Sequence, residues 1–461
     1  MGMGEQGQGR STRSGRWEQL RASLWFLPAV VAAGSLLLTL GLLRIRPDPA
    51  GAVGELAWPA SASSAATLLQ LVATAVMTVT TLTLSLTIVA LQLASQQFSP
   101  RLLRNFARDR RIQASLAVLT SAFVVPLTAL RGIDPERPLP VLALALTWLL
   151  GLASVGVLLG FVAHLVRLLR VDTMMAGVHA ETRRTIEQTY SPWGGREGEE
   201  PPEAPDDDAL PGPSGGVLVL ARRSGFVRSI DPGVLVAAAA GEGVFFRLGL
   251  RPGDHVVAGA PVGMAWTVDG GGPVRPDELA DAVAPALDFG IERTSEQDAA
   301  FGFRQLVDIA VKAISPGIND PTTAAEAIGY CADLLVRLQG RRLGPQVKRD
   351  EEGRARVVLP DRDLRYYLDL ACGQVRRFGR DMPGVLTALL RMLRDVAANA
   401  RSDEQRDEVA RQVALILDEV SDELVEYDLA EVREFARRVE LALSGDLAAA
   451  YDDRAGETRS I

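Results

Sequence analysis

Four stretches of the chain, Leu27 to Leu43, Ala65 to Ala94, Ile112 to Leu130 and Leu139 to Val166, contain no Asp, Glu, Lys or Arg. About 20 apolar residues cross the roughly 30 Å hydrocarbon core of a bilayer, so each stretch is predicted as a membrane-spanning helix. The first is short enough for a signal-peptide core. Arg44 and Arg46 follow it without a small-residue cleavage pattern, which favours an uncleaved span. Beyond these stretches the apolar positions become sparser. Short β-branched runs from Val217 to Trp266 read as strands, and from Ser295 onward the repeat is helical.

Arginine placement orients the spans, because basic residues in short loops stay in the cytoplasm. Arg10, Arg13, Arg16 and Arg21 precede the first span. Arg101, Arg104, Arg108, Arg110 and Arg111 separate the second from the third, and Arg167, Arg170, Arg183 and Arg184 follow the fourth. The other two loops carry sparse, mixed charge. Both termini are therefore expected in the cytoplasm of a multi-pass inner (plasma) membrane protein. Ser99 and Pro100 could open a short interfacial helix with its arginines at the headgroups.

The second span is the most informative. At ~1.5 Å per residue it reaches about 45 Å, longer than the hydrocarbon core. At about 100° per residue, Thr67, Gln70, Thr74, Thr78, Thr81, Ser85, Gln92 and Gln96 fall within an arc of about 80°. Such a stripe can line a wet path, where hydroxyls and amides replace ion hydration. Hydroxyl residues also let membrane helices pack closely, and Thr80, Thr83 and Thr87 lie on the opposite face.

The expected architecture is a membrane α-helical part (residues 1–190) and a cytoplasmic α+β part. An acidic Pro/Gly linker at 191–216 leads to a small β domain at 217–290, then a helical domain with a polar tail at 291–461. Gly225-Phe226-Val227 and Gly253-Asp254 through Gly259-Ala260-Pro261-Val262 resemble the barrel-sandwich hybrid of biotinyl and lipoyl carriers. The modifiable lysine is missing, and the next lysine is Lys312. No covalent cofactor is expected. In the helical part, Ser295 and Asp298 form a possible capping box. The helix after them stops at Ser315-Pro316-Gly317, and Ile318-Asn319-Asp320-Pro321-Thr322 reopens the next, with Asp320 as N-cap. Ser315, Asn319, Asp320 and Thr322 form a candidate ligand loop at a helix N-terminus, for which capping is the simpler account. Amphipathic helices are expected at about Asp363 to Arg380, Val385 to Ala400, Asp403 to Val425 and Leu429 to Leu443.

Charge sharpens the division. Up to Arg170 there are 15 Arg and Lys against 7 Asp and Glu; the totals of 49 and 57 leave 34 against 50 for the remainder. An acidic soluble part excludes nucleic acid, which needs a basic surface. Cys331 and Cys372 form no disulfide framework, and His164, His179 and His255 have no partner at metal-ligand spacing, so no metal is expected. Gly2-Met3-Gly4-Glu5-Gln6-Gly7 and Gly212-Pro213-Ser214-Gly215-Gly216 match enzyme motifs only formally, because neither has its strand–turn–helix context. No catalytic constellation is legible, and an enzyme is not expected.

The run Thr80-Thr81-Leu82-Thr83-Leu84-Ser85 through Gln96-Gln97-Phe98-Ser99-Pro100-Arg101, and Gln297-Asp298 through Ser315-Pro316-Gly317-Ile318-Asn319-Asp320-Pro321-Thr322-Thr323-Ala324, resemble the bacterial membrane-protein family labelled domain of unknown function 2254. The resemblance implies a bacterial membrane protein and supplies no activity. Two classes of function stay open. One is a homo-oligomeric channel or transporter whose second span lines the path. The other is a membrane-anchored scaffold or sensor whose cytoplasmic part binds a partner or small ligand. The absence of Asp, Glu, Lys and Arg from the spans argues against a proton-coupled pump.

Overall fold

The structure, a computed structural model, describes residues 25–45, 61–97, 109–134, 139–168, 170–193, 215–268 and 273–452, without the side chains of 93–97. The chain divides into two units, Met1–Thr173 and Met174–Ile461. The interfacial helix expected after Ser99, most of the linker and the terminal tails lie outside the described residues.

The first unit holds α1 (Phe26–Leu42), α2 (Ala62–Gln97), α3 (Arg110–Ala129) and α4 (Val141–Leu168). Ser61 starts α2 by accepting from the Ser64 N–H at 3.2 Å. Three of these helices are long and apolar enough to cross a membrane. The first has 17 residues, about 26 Å at the helical rise, and falls short of a full hydrocarbon core. The centre of the unit is α3, whose apolar stretch is 61% buried against 22% for α2 and 28% for α4. Small side chains (Ala117, Ser121, Ala122 and Ala129) are buried on it and allow close packing. Helices α1, α2 and α4 all pack on α3, and Ser35 Oγ donates to Ser121 Oγ at 2.9 Å between α1 and α3. Asp109 caps α3 through the Arg111 and Ile112 N–H groups. Its second oxygen meets His164 Nε2 of α4 at 2.8 Å.

The second unit takes up α5 (Val171–Thr189) from Met174 onward. It continues with β1 (Val217–Leu220), β2 (Gly225–Ile230), α6 (Pro232–Gly241), β3 (Val244–Leu248), β4 (His255–Val256), β5 (Pro261–Thr267), α7 (Pro276–Val283) and β6 (Leu287–Gly290). The chain then forms α8 (Ala299–Ala313), α9 (Pro321–Gln339), β7 (Gln346–Arg349), β8 (Ala355–Leu359), α10 (Leu364–Phe378), α11 (Pro383–Ala398), α12 (Asp403–Glu419), α13 (Glu426–Leu443) and the short α14 (Leu447–Ala450).

The strands make a five-stranded sheet in the order β1-β5-β3-β8-β7 and a three-stranded sheet β4-β2-β6. Val219, Val227, Leu235, Phe246, Leu248, Val262 and Val357 share one buried core. The result is a mixed sheet with inserted helices: β3 pairs parallel with β8, and α6 interrupts the strands where Asp231 caps the Gly233 and Val234 N–H groups. The expectation placed every strand before residue 291. Strands β7 and β8 depart from it because they join the sheet through the pairing of β8 with β3, about 110 residues distant, which local pattern does not carry, and β7 then pairs with β8. The helices pack around buried Phe303, Leu306, Leu335, Tyr367, Leu386 and Leu389.

Candidate functional site

The polar stripe lies on α2, whose period places all of it on one side. Thr67, Gln70, Thr74, Thr78, Thr81, Ser85 and Gln92 are exposed, and the early start of the helix extends the row to exposed Ser63. Gln96 continues the helical backbone, but its side chain is outside the described residues. On the opposite face Ala65, Leu69, Ala73, Val76, Thr83, Thr87 and Ala90 are buried. The stripe therefore points directly away from the helices of its own unit. Apolar Leu71, Met77, Leu82 and Val89 flank it and are exposed too. At the Ser63 end, Ser63, Ser64, Thr67, Leu68, Leu71 and Val72 of α2 and Trp148 of α4 line an open groove of about 560 Å³.

The hydroxyls have local partners. Thr67 donates to the Ser63 carbonyl at 2.9 Å, Thr78 to Thr74 at 3.0 Å and Thr81 to Met77 at 3.0 Å. Their hydrogens are thus engaged and their lone pairs are left facing outward. Buried Thr83 and Thr87 bond in the same way, to the Val79 and Thr83 carbonyls.

The candidate loop between α8 and α9 closes on itself. Asp320 Oδ1 accepts from the Thr323 N–H at 3.1 Å and Oδ2 from the Thr323 hydroxyl at 2.6 Å, so it is the N-cap of α9. The Thr323 hydroxyl, then the backbone N–H groups of Thr323 and Thr322, hold its carboxyl below the usual carboxylate range. Ser315 Oγ donates to the Lys312 carbonyl at 2.6 Å. Asn319, at φ 51°, is the one positive-φ residue other than glycine among the described residues. It permits the tight reversal in which the Asp320 N–H reaches the Ala313 carbonyl at 2.8 Å. Thr322 lies in the first turn of α9. The loop brings these four residues together, and capping with turn geometry accounts for the contacts of Ser315 and Asp320.

The capping box expected at Ser295 and Asp298 is not formed. Ser295 Oγ donates instead to Glu181 of α5, and its carbonyl accepts from Thr185. The Asp298 side chain makes no cap bond. It is fully buried, 2.5 Å from Arg293 Nε and 3.4 Å from Arg362 Nη1. Charge pairing has displaced the local cap, since a buried carboxylate needs cationic partners more than a helix end needs one acceptor.

Around this pair lies an interior polar cluster that the sequence did not announce. Arg362 Nη2 donates to the Pro252 carbonyl at 2.9 Å. Gln297 clips Ile230 of β2 in both directions, accepting its N–H at 2.9 Å and donating to its carbonyl at 3.3 Å. Gly253, at φ 92°, packs so closely that a Cβ there would land on Asp298 Oδ2 and Arg293 Nε. The turn at Gly253 and the Gln297-Asp298 pair are thus two halves of one joint between the strands and the helices. Beside it, the Tyr190 hydroxyl lies 2.7 Å from that of Tyr367 and donates to Asp361 Oδ1 at 3.3 Å. Burial raises both tyrosines above their usual range and pushes Asp361 up to about 6.

Among the described residues no group of three or more His, Cys, Asp or Glu is placed to hold a metal ion. Uncharacterized proteins of Mycobacterium tuberculosis and Mycobacterium bovis are each 33% identical to this chain over 409 residues, which is 87% of this chain and 76% of the relative. No solved structure gives a significant match. The model of the predicted membrane proteins grouped as domain of unknown function 2254 matches residues 21–395. With that match over most of its length, the chain belongs to this family of membrane proteins.

Proposed function

We propose that the protein is a homo-oligomeric channel or transporter in which α2 of each copy turns its polar face to a common path across the membrane. The observation that carries this reading is the direction of the stripe. Its hydroxyls lie opposite the face that packs on the protein's own bundle, at a depth where the flanking exposed residues are Leu, Met and Val. A locally bonded Thr tolerates hydrocarbon, but an amide such as Gln70 has more hydrogen-bonding groups than a nearby carbonyl can meet. Leaving one such group unmet costs on the order of 2–7 kcal/mol. A second copy or a water-filled path meets that need.

In this reading α1 is the fourth span, shorter than the others and held along α3 by the Ser35–Ser121 bond. The membrane is the inner membrane and both termini are cytoplasmic, as the arginine distribution supports. The reading assigns no enzymatic step and no cofactor.

The test is the purified full chain in planar bilayers beside a variant with Leu at Thr78, Thr81 and Ser85. Discrete conductance that the variant lacks supports the path. Silence of the native chain across several salts and tensions overturns it and favours a scaffold or sensor working through the soluble unit.

A further inference from the structure

Within the second unit, the chain leaving α5 is pinned to the helical body by a short seam. The Trp193 N–H donates to the Gly340 carbonyl at 2.9 Å, and the Arg342 N–H to the Ser191 carbonyl at 3.0 Å. Arg341 Nη1 donates to the Tyr190 carbonyl at 3.0 Å. The Tyr190 ring continues the seam inward to Tyr367 and Asp361.

Two carboxyl groups lie close to this seam, Asp298 fully buried and Asp361 half-buried, and they are treated unequally. Asp298 has both Arg293 and Arg362. Asp361 sits next to Arg362 in sequence but receives a backbone N–H from it, at 2.7 Å, rather than its guanidinium. That guanidinium turns instead to Asp298, Pro252 and the face of Tyr366. Arg251, from the turn between β3 and β4, is directed to Asp254. The groups facing Asp361 are therefore Tyr190 from the seam, Tyr367 from α10, Arg362 beside it and Arg251 from the turn, with Asp298 beyond them. Asp361 is a half-buried acid that accepts from two uncharged donors, the Tyr190 hydroxyl and the Arg362 backbone N–H. Both reach Oδ1, so Oδ2 can carry a proton while each bond survives. Protonation removes the charge without costing a contact.

We propose that this seam is a proton-operated latch: Tyr190 to Trp193 is held tightly when Asp361 is protonated and opens more readily when Asp361 is ionised, because opening is what hydrates the carboxylate. The direction follows from linkage. The folded-state pKa is raised to about 6, above an unfolded value of about 3.9. The extra stability of the protonated form is therefore present at low pH and is lost as the pH rises through the folded value. Since α5 enters this unit directly from the membrane segments in chain order, the latch sets how firmly that connection is anchored at its far end.

The test is hydrogen exchange of the Trp193 and Arg342 amides in the full-length chain in lipid nanodiscs, from about pH 5 to about pH 8, corrected for intrinsic rates. Opening in the native chain should rise with pH by up to about tenfold per unit below the folded Asp361 value of about 6 and level off above it, where both states are ionised. Asp361→Asn, a permanent mimic of the protonated acid, should flatten that slope. Tyr190→Phe, which removes one donor to the carboxylate and keeps the ring, should move the midpoint to higher pH and serves if the Asn variant fails to fold. Equal protection across the range in the native chain overturns the latch. So does a slope that persists in Asp361→Asn and vanishes in His179→Gln, which would place the sensor at the His179–Asp333 pair of α5 and α9, 2.6 Å apart.

Discussion

Gly253 occupies a place where chain direction and charge pairing meet. Its positive φ suits glycine, and the space where a Cβ would sit is filled by the Asp298 carboxylate and the Arg293 guanidinium. Alanine at Gly253 must adopt a strained backbone, costing about 1 kcal/mol or more. It must also push apart a buried ion pair, whose disruption by loss of a partner costs about 3–5 kcal/mol. Partial displacement sets the expectation at roughly 2–4 kcal/mol of lost stability, read as a shift in the denaturant midpoint of the second unit with its slope unchanged. A change below about 0.5 kcal/mol would mean the joint is loose. Asp320 should behave differently. Asp320→Ala removes one cap and should cost about 1 kcal/mol, with Asp320→Asn, itself a good cap, close to neutral. A ligand titration that stabilises the native chain and not the Asn variant would show the loop to be more than a cap. The contrast between these positions explains what was readable. The Asp320 cap is local, its partner three residues on, and the sequence shows it plainly. Asp298 has the same local signal, yet it is fully buried and paired with Arg293, five residues before it, and with Arg362, 64 positions on, and spacing shows neither the burial nor the pairing.

The face of α2 was legible as an angle and not as a direction. Periodicity places Thr67, Thr74, Thr81 and Gln92 on one side and Thr83 and Thr87 on the other, but it does not say which side meets α3 and α4; burial decides that. With the direction known, the inward and outward hydroxyls carry different predictions. Thr83→Val keeps shape and loses one local bond, so any conductance should persist with a modest loss of stability, since hydroxyl bonds in membrane helices average about 0.6 kcal/mol. Outward Thr78 and Thr81 have their hydrogens on the Thr74 and Met77 carbonyls. A path lined by such groups offers oxygen lone pairs, which solvate cations and not anions. In a salt gradient of KCl the reversal potential should therefore lie toward the potassium equilibrium potential. A potential on the chloride side would sink the selectivity argument while leaving the path itself standing. A path with no current in any salt would sink both.

At the scale of the whole chain, the apparent order of parts in the sequence and the order in space disagree in one place. The strands from Val217 to Gly290 read as a self-contained small domain, and six of the eight strands among the described residues do lie there. Their central sheet, however, continues through β8 and β7, which arrive after α9, and β8 pairs with β3 through Phe246↔Val357 and Arg247↔Val358. Val357 is fully buried in the same core as Phe246 and Leu235, and Gln297 and Arg362 bind the strands from the helical side. A fragment covering 215–292 would expose the edge of β3 and part of that core. An unpaired edge beside uncovered apolar surface favours aggregation over folding. The expectation is that this fragment is unfolded or aggregated, whereas 174–452, which retains α5, β7, β8 and the interior cluster, gives a dispersed amide spectrum and a single cooperative thermal transition. Independent folding of 215–292, with well-resolved amide signals, would show that β7 and β8 only decorate the sheet. It would also make the charged joint at Gly253 and Asp298 a contact between two domains, so that Gly253→Ala should then unfasten them while leaving each one's melting unchanged.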